Sequence, residues 1–170
     1  MEAGIDREAA LRPVVALTGT AVVLYAVDQI TKALVVANVA FGDRHDVIGN
    51  LAQLWHVRND GAAFSILPGA TWLFVPVTLV AIGMVVYFHR SLLNRGLWIH
   101  VVLGAILAGA LGNLTDRLRF GYVVDFVSVG FGDTRFPTFN VADSAVVLGI
   151  GALVAYLTFV EKPRGVENAG

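Results

Sequence analysis

The chain has 170 residues, of which 56% are hydrophobic and only 15% are charged, and its formal net charge is −1. A soluble domain carries charge on about a quarter of its residues, so this composition indicates an integral membrane protein instead. The balanced charge excludes a global basic field for nucleic acid, and the absence of cysteine excludes disulfides and thiol chemistry.

Four apolar runs are long enough to cross about 30 Å of hydrocarbon. We expect these spans at residues 14–39, 70–88, 97–113 and 141–160. The first run continues through Asp28 and Lys32 without a clear cleavage site, so it is interpreted as a permanent span and not as a signal peptide. The small residues of the third run predict close packing inside the bundle. We expect one domain over residues 1–163 and a disordered cytoplasmic tail over residues 164–170.

The distribution of basic residues bears on the orientation of these spans. Three groups would all be cytoplasmic if both termini were inside, which satisfies the positive-inside rule: Arg7 and Arg12, Arg90 and Arg95, and Lys162 and Arg164. The opposite connections carry as many basic residues, so the charge bias is not decisive by itself: Arg44, Arg58, Arg117, Arg119 and Arg135. The even number of spans and the clean inner loop favour an N-in, C-in arrangement.

The two outer connections, residues 40–69 and 114–140, are long for simple turns. Residues 51–58 are rich in strand-forming side chains, and Asn59-Asp60-Gly61 is a turn signal. Residues 122–127 form a second short strand pattern. We therefore expect an all-α membrane protein of four helices with a small antiparallel sheet on its extracytoplasmic side.

Two carboxylates occupy matching tetrapeptides, Asn113-Leu-Thr-Asp116 and Asn140-Val-Ala-Asp143. An ionisable residue at membrane depth is costly, so it indicates a functional site. Because spans three and four run in opposite directions, Asp116 and Asp143 are expected at the same level. Two close carboxylates share a proton, and such a dyad can activate water and polarise a carbonyl, as in an aspartic protease. Asp125 is interpreted as a strand or loop carboxylate and not as a third catalytic acid.

The two asparagines can also cap helices. Asn140 is placed to be the N-cap of the fourth span, and Asn113 could close the third as a C-cap. On this reading Asp143 lies at a positive helix end and would be the base, whereas Asp116 lies past a negative end and would hold the proton, although Arg117 opposes this asymmetry.

Two further motifs have both structural and functional readings. Asp28 and Lys32 share a helix face at i, i+4, so they form a structural ion pair or support the site. The segment from Asn59 through Gly61 to Phe64 is either a hairpin turn or a substrate-facing loop that offers Asn59 as a hydrogen-bonding group. No metal or cofactor is expected, because the four histidines have no ligand spacing and two aspartates are a thin ligand set.

The ordered motifs of the chain resemble those of the bacterial lipoprotein signal peptidase (signal peptidase II) family. The resemblance rests on five blocks that extend over most of the chain: Asp28-Gln-Ile-Thr-Lys32, Asn59-Asp-Gly-Ala-Ala-Phe-Ser65, Gly109-Ala-Leu-Gly-Asn-Leu-Thr-Asp-Arg117, Val123-Val-Asp-Phe126 and Phe139-Asn-Val-Ala-Asp-Ser144. Ala108 stands where the family often has glycine.

The resemblance implies an aspartic endopeptidase in the bacterial cytoplasmic membrane, with its active site at the extracytoplasmic face. Its substrates would be prolipoproteins with a diacylglyceryl-modified cysteine, cleaved before that residue, and globomycin-type cyclic peptides would inhibit it. By motif match, Asp116 and Asp143 would be the catalytic dyad. The same match gives supporting roles to Asn59, Gly61, Asn113, Arg117, Asn140 and Ala142, and assigns Asp28 and Lys32 to the fold.

Two other classes remain open at the level of sequence. A small proton-coupled transporter could use the same aspartates as a relay, but transporters place such residues near the midplane and often show repeated halves, and no repeat is visible here. A scaffold protein without chemistry would tolerate substitution of both aspartates.

Overall fold

The computed structural model describes residues 2–61, 71–132 and 134–159, and for residues 2–7 and 9 it describes the backbone alone. Eight elements are described, in chain order: α1 Glu2–Asn38, β1 Arg44–Ile48, β2 Ala52–Asn59, α2 Thr71–Ser91, α3 Leu97–Phe120, β3 Val123–Phe131, β4 Thr134–Arg135 and α4 Val141–Phe159. The expected tail at residues 164–170 lies outside the described residues.

The four helices are long and apolar enough to cross a membrane, which confirms the predicted spans. The qualifying segments are Ala10–Asn38, Thr71–Ser91, Leu97–Phe120 and Val141–Phe159. One boundary was predicted wrongly, because α3 does not end near Asn113 but continues to Phe120. Gly121 closes it in the left-handed conformation, with φ of 78° and its N–H bonded to the carbonyl of Arg117. Asn113 is therefore not a C-cap, and Asp116 lies inside the helix.

Helix α3 is the centre of the bundle and packs against the other three helices. About 61% of its most apolar window is buried, against 11–17% for the other helices. Its glycines make this possible, since a Cβ added at Gly104 would collide with the backbone of Leu17 and one at Gly109 with the backbone of Ala142. The close packing expected from the small residues of this span is confirmed.

The four strands form one antiparallel sheet in the order β1-β2-β3-β4. Strands β2 and β3 confirm the two predicted strands, whereas β1 and β4 were not anticipated. In the register of β2 and β3, Leu54 faces Val127 and Asn59 faces Val123. The sheet packs on the bundle through Val35 and Val39 of α1 and Phe126 of β3.

The helix ends at the sheet alternate in direction. Helices α1 and α3 end there, and α2 and α4 begin there, so successive helices run antiparallel. The hydroxyl of Thr71, the first residue of α2, lies 2.9 Å from the carbonyl oxygen of Asp60 and 2.7 Å from that of Gly121. These contacts place the start of α2, the turn after β2 and the end of α3 at one level, where the polar residues of the motifs also meet.

Candidate active site

A buried lysine organises the polar cluster between α1, α3 and α4. The ammonium of Lys32 lies 2.9 Å from an oxygen of Asp28, 2.9 Å from an oxygen of Asp116 and 3.1 Å from the amide oxygen of Asn113. Lys32 is only 3% exposed, and Asp28 and Asp116 are each 1% exposed. A buried cation needs such partners, because an unpaired charge in this environment would be very costly.

Asp116 is fully engaged within this cluster. Its Oδ2 meets Lys32 and also accepts a hydrogen bond from the backbone N–H of Val124, at 3.1 Å. Its Oδ1 accepts one from the side chain of Gln29, at 3.3 Å. Oδ2 therefore neutralises Lys32 and joins the last turns of α3 to the start of β3, while Oδ1 bonds to α1 through Gln29.

Asp28 connects α1 to the first turn of α4. Its Oδ1 accepts a hydrogen bond from the backbone N–H of Ala142 at 2.9 Å, next to Asp143 in the chain. The approach requires glycine at position 112, because a Cβ there would lie 2.5 Å from the Oδ2 of Asp28. Asp28 therefore connects the ion pair on α1 to the first turn of α4, which contains Asp143.

Asn140 is the expected N-cap of α4. Its Oδ1 accepts the backbone N–H of Asp143 at 2.9 Å, and Asp143 in turn accepts the backbone N–H of Asn140 at 3.2 Å. This reciprocal arrangement satisfies donors that a helix start leaves free. It also fixes the Asp143 carboxylate in the first turn, where the helix dipole favours negative charge.

The amide of Asn140 joins Asp143 to a second carboxylate, that of Asp125. The Nδ2 of Asn140 donates to Asp125 Oδ1 at 2.7 Å, and the Nδ2 of Asn59 donates to Asp125 Oδ2 at 2.9 Å. The other carboxylate oxygen of Asp143, Oδ1, accepts a hydrogen bond from the Nδ2 of Asn113 at 2.7 Å. Asn140 therefore bonds to both carboxylates, to Asp125 through its side-chain amide and to Asp143 through its backbone N–H.

Asp125 lies on β3 and is only 1% exposed. Burial and then the negative charge of Asp143 raise the pKa of Asp125 to about 7, and the hydrogen bonds from Asn59 and Asn140 and the charge of Lys32 oppose this shift only partly. A carboxyl group with this pKa can hold a proton near neutral pH. Its coupling to Asp143 is the electrostatic pattern expected of a proton-sharing pair.

The structure thus divides the predicted residues into two linked groups. Asp28, Lys32 and Asp116 form the ion-pair group, and Asn59, Asn140 and Asp143 surround Asp125, with Asn113 bonded to both. Sequence reasoning set Asp125 aside as a strand or loop carboxylate. The available signal was an ionisable side chain within a run of buried strand-formers, which needs a partner as much as one within a helix does.

The turn after β2 orients one of these amides. The backbone N–H of Gly61 donates to Asn59 Oδ1 at 3.1 Å, while the Nδ2 of Asn59 faces Asp125. The motif is therefore a turn that also presents a polar group to the carboxylates. The rest of the expected loop, residues 62–64, lies outside the described residues.

An apolar cleft of about 580 Å³ opens beside Asp143. Helices α2, α3 and α4 and the segment 136–139 form its walls, which are mainly aliphatic and aromatic. The polar groups at the cleft are few and include Asn59, Asn113, Arg117 and Asp143. The guanidinium of Arg117 is held over the ring of Phe74, 5.4 Å from its centre, and lies 3.4 Å from the carbonyl oxygen of Asn113.

Two carboxylates linked through Asn140, of which Asp143 lines an apolar cleft among membrane-length helices, are the arrangement of an aspartic peptidase that works in a membrane. Comparison with known proteins gives the family: the model of Peptidase_A8, signal peptidase (SPase) II, matches residues 20–159. The chain belongs to this family, as its motifs indicated.

Two curated relatives illustrate the similarity. The lipoprotein signal peptidase of Symbiobacterium thermophilum is 39% identical over 142 residues, 84% of this chain and 93% of that protein. The lipoprotein signal peptidase of Latilactobacillus sakei is 43% identical over 136 residues, 79% of this chain and 88% of that protein. This chain is accordingly a lipoprotein signal peptidase in its activity.

The fold is also similar to that of a bacterial membrane enzyme solved by the in meso method at 2.3 Å resolution. That structure has a TM-score of 0.74 and 33% sequence identity, and the match covers 87% of this chain and 92% of the other. The chain is therefore a multi-pass membrane protein, as expected from its composition.

Proposed function

We propose that this enzyme hydrolyses the peptide bond before a diacylglyceryl-modified cysteine of a prolipoprotein, with Asp125 and Asp143 as its catalytic carboxylates. The observation that carries the proposal is the bridge between the two carboxylates through Asn140, next to an apolar cleft that Asp143 lines. A lipid-modified substrate lies in the bilayer, so a site between membrane-length helices meets the scissile bond without extraction of the acyl chains.

The two carboxylates have different tasks. Asp143, at the helix start, accepts the proton of a water molecule as that water attacks the scissile carbonyl carbon. Asp125, with a pKa of about 7, holds a proton and donates a hydrogen bond to the carbonyl oxygen as negative charge develops there. Collapse of the tetrahedral intermediate breaks the C–N bond, and the proton held by Asp143 passes to the leaving amine.

The assignment of Asp125 replaces Asp116 in the dyad expected from the sequence. The earlier pairing stays a prediction, but the contacts favour Asp125. Asp116 is ion-paired with Lys32, whereas the two side-chain hydrogen bonds to Asp125 come from neutral asparagine amides, and one of these, Asn140, also bonds to Asp143. We infer that Asp116 instead helps to hold Lys32 and the start of β3 in position.

The neighbouring residues act through the two carboxylates. Asn113 and Asn140 orient Asp143, Asn59 orients Asp125, and the bond from Ala142 to Asp28 fixes the first turn of α4. Arg117, at the cleft, supplies positive charge close to the developing oxyanion. Because several of these contacts connect separate helices, small displacements of the bundle would be felt at the site.

The apolar cleft would receive the acyl chains or the hydrophobic signal segment, and globomycin-type cyclic peptides would compete for it. The expected N-in, C-in arrangement places the sheet and the carboxylates on the extracytoplasmic side, where exported prolipoproteins arrive. The sheet would then cover the exposed part of the substrate.

The decisive experiment is cleavage of a diacylglyceryl-modified prolipoprotein by purified protein in detergent with a chelator present. Asp125→Asn and Asp143→Asn are expected to abolish cleavage while the protein stays folded. Asp46→Asn is the matched control, since Asp46 is exposed on β1, and it should cleave normally. Cleavage retained by Asp125→Asn, together with its loss in a folded Asp116→Asn variant, would restore the pairing expected from the sequence.

A further inference from the structure

Five side chains at the sheet end of the bundle form a continuous stack. The guanidinium of Arg58 lies 4.7 Å from the ring centre of Phe41 and 5.0 Å from that of Tyr122. Tyr122 stacks on Phe120 with 5.7 Å between ring centres and 24° between planes. Arg119 lies 4.9 Å from the ring centre of Phe120. These five residues are called the arginine–aromatic ladder below.

The ladder lies where two membrane-length segments end. The apolar part of α1 ends at Asn38, three residues before Phe41, and that of α3 ends at Phe120. Phe41 is 60% exposed and Phe120 is 46% exposed, although each is a large apolar side chain. Aromatic side chains at this level are typical of the membrane–water interface, where the ring contacts lipid and the polar neighbours contact headgroups.

The two guanidinium groups of the ladder carry charge without a carboxylate partner. Both side chains are exposed, and neither Arg58 nor Arg119 forms an ion pair with any carboxylate in the described part of the chain. A guanidinium that lies on an aromatic face keeps N–H groups on its edge for a planar, bidentate acceptor. Phosphate is such an acceptor, and the ladder is therefore complementary in charge and geometry to a phosphate at the membrane surface.

We propose that the arginine–aromatic ladder binds the headgroup phosphates of anionic phospholipids in the leaflet beside the sheet. The rings of Phe41 and Phe120 contact the upper acyl region, and Arg58 and Arg119, next to Tyr122 and Phe120 respectively, each present a guanidinium to a headgroup phosphate. Since the ladder joins the ends of α1 and α3 to β2, the bound lipid holds the sheet at a fixed height above the hydrocarbon. This function goes beyond peptide cleavage and involves a different surface from the carboxylate pair.

The test is native mass spectrometry of the purified full-length protein in detergent, titrated with phosphatidylglycerol or with phosphatidylcholine of the same acyl chains. Wild type is expected to bind the first phosphatidylglycerol at least about fivefold more tightly than phosphatidylcholine, the scale of one basic side chain near an anionic surface. The double variant Arg58→Gln/Arg119→Gln should lose this preference. The charge-matched control Arg12→Gln/Arg90→Gln, at the opposite end of the bundle, should keep it.

Three results would overturn the proposal: equal affinity of wild type for the two lipids, a preference that survives in the ladder variant, or an equal loss in the control. Thermal unfolding of each variant checks that the fold is intact. Arg58→Lys/Arg119→Lys provides a second test because it keeps the charge and loses the planar stack, and it should show an intermediate preference. An undiminished preference in this variant would contradict the stacked geometry. None of these readouts depends on peptidase activity.

Discussion

The proton held by Asp125 makes the stability of the enzyme depend on pH, and Asp125→Asn should remove that dependence. The folded-state pKa of Asp125 is about 7, above the ordinary value of 3.8, so folding favours the protonated group. Its contribution to stability is therefore fully present below about pH 4 and is lost as the pH rises toward and through 7. Asparagine does not ionise at any pH, so the variant lacks this pH-dependent loss of stability.

The size of the effect follows from the shift in pKa. A difference of about three units corresponds to roughly 4 kcal/mol over the whole range, of which about 2.5 kcal/mol falls between pH 5 and pH 8. Relative to wild type, Asp125→Asn should thus become progressively more stable from pH 5 to pH 8, even though it is expected to lose cleavage.

The assay is thermal unfolding in detergent at a series of pH values, followed by tryptophan fluorescence, for wild type, Asp125→Asn and the exposed control Asp46→Asn. Titrating groups other than Asp125 and the coupled Asp143 are common to all three proteins and cancel in the differences. The difference between Asp125→Asn and wild type should grow with pH, and that between Asp46→Asn and wild type should stay nearly constant. A pH-independent difference for Asp125→Asn would refute the proposed protonation of Asp125.

Three further predictions concern the same residues. If cleavage requires protonated Asp125, kcat/KM on a lipidated prolipoprotein should fall about tenfold per pH unit above about pH 7, and a flat profile to pH 9 would exclude it as the acid. Lys32→Met leaves Asp28 and Asp116 buried without their cation and should destabilise the protein by about 3–5 kcal/mol. Denaturant or thermal unfolding measures this loss, and Arg12→Met, at an exposed site, is the control. Gly112→Ala places a Cβ against the Asp28 carboxylate, so it should lower the free energy of unfolding by about 1–3 kcal/mol and reduce kcat. Gly83→Ala, with open space around it, should leave both quantities unchanged. Equal effects of the two glycine variants would contradict the role assigned to the contact between Gly112 and Asp28.

Local patterns in the sequence were sufficient for much of the fold. The lengths of the apolar runs identified four membrane-length helices, because crossing the hydrocarbon sets a minimum length that each segment must meet by itself. Alternating strand-formers identified β2 and β3, and Asn140 followed by Asp143 identified the start of α4. Strand β1, whose five residues are all exposed, and the two-residue β4 carry no such pattern and were missed.

The end of α3 could not be placed from hydropathy alone. The polar residues after Gly112 were read as the end of the span, but the helix continues because Leu114 and Asp116 are buried against other elements and the first left-handed glycine comes at position 121. Contacts with other elements satisfy the polar side chain of Asp116, which the sequence pattern had assigned to the membrane–water interface.

Sequence alone determined that this chain is a membrane protein with paired acidic motifs, and the motifs were specific enough to indicate the family. Only the tertiary structure decided which carboxylates meet. Asp116 and Asp125 are nine positions apart, and the local pattern favoured Asp116 because it shares the Asn-x-x-Asp spacing with Asp143. The fold turns β3 back beneath the end of α3, which brings Asp125 to Asn140 and Asp143 and leaves Asp116 with Lys32. A buried charge takes its role from the partner that compensates it, and that partner comes from a distant part of the chain.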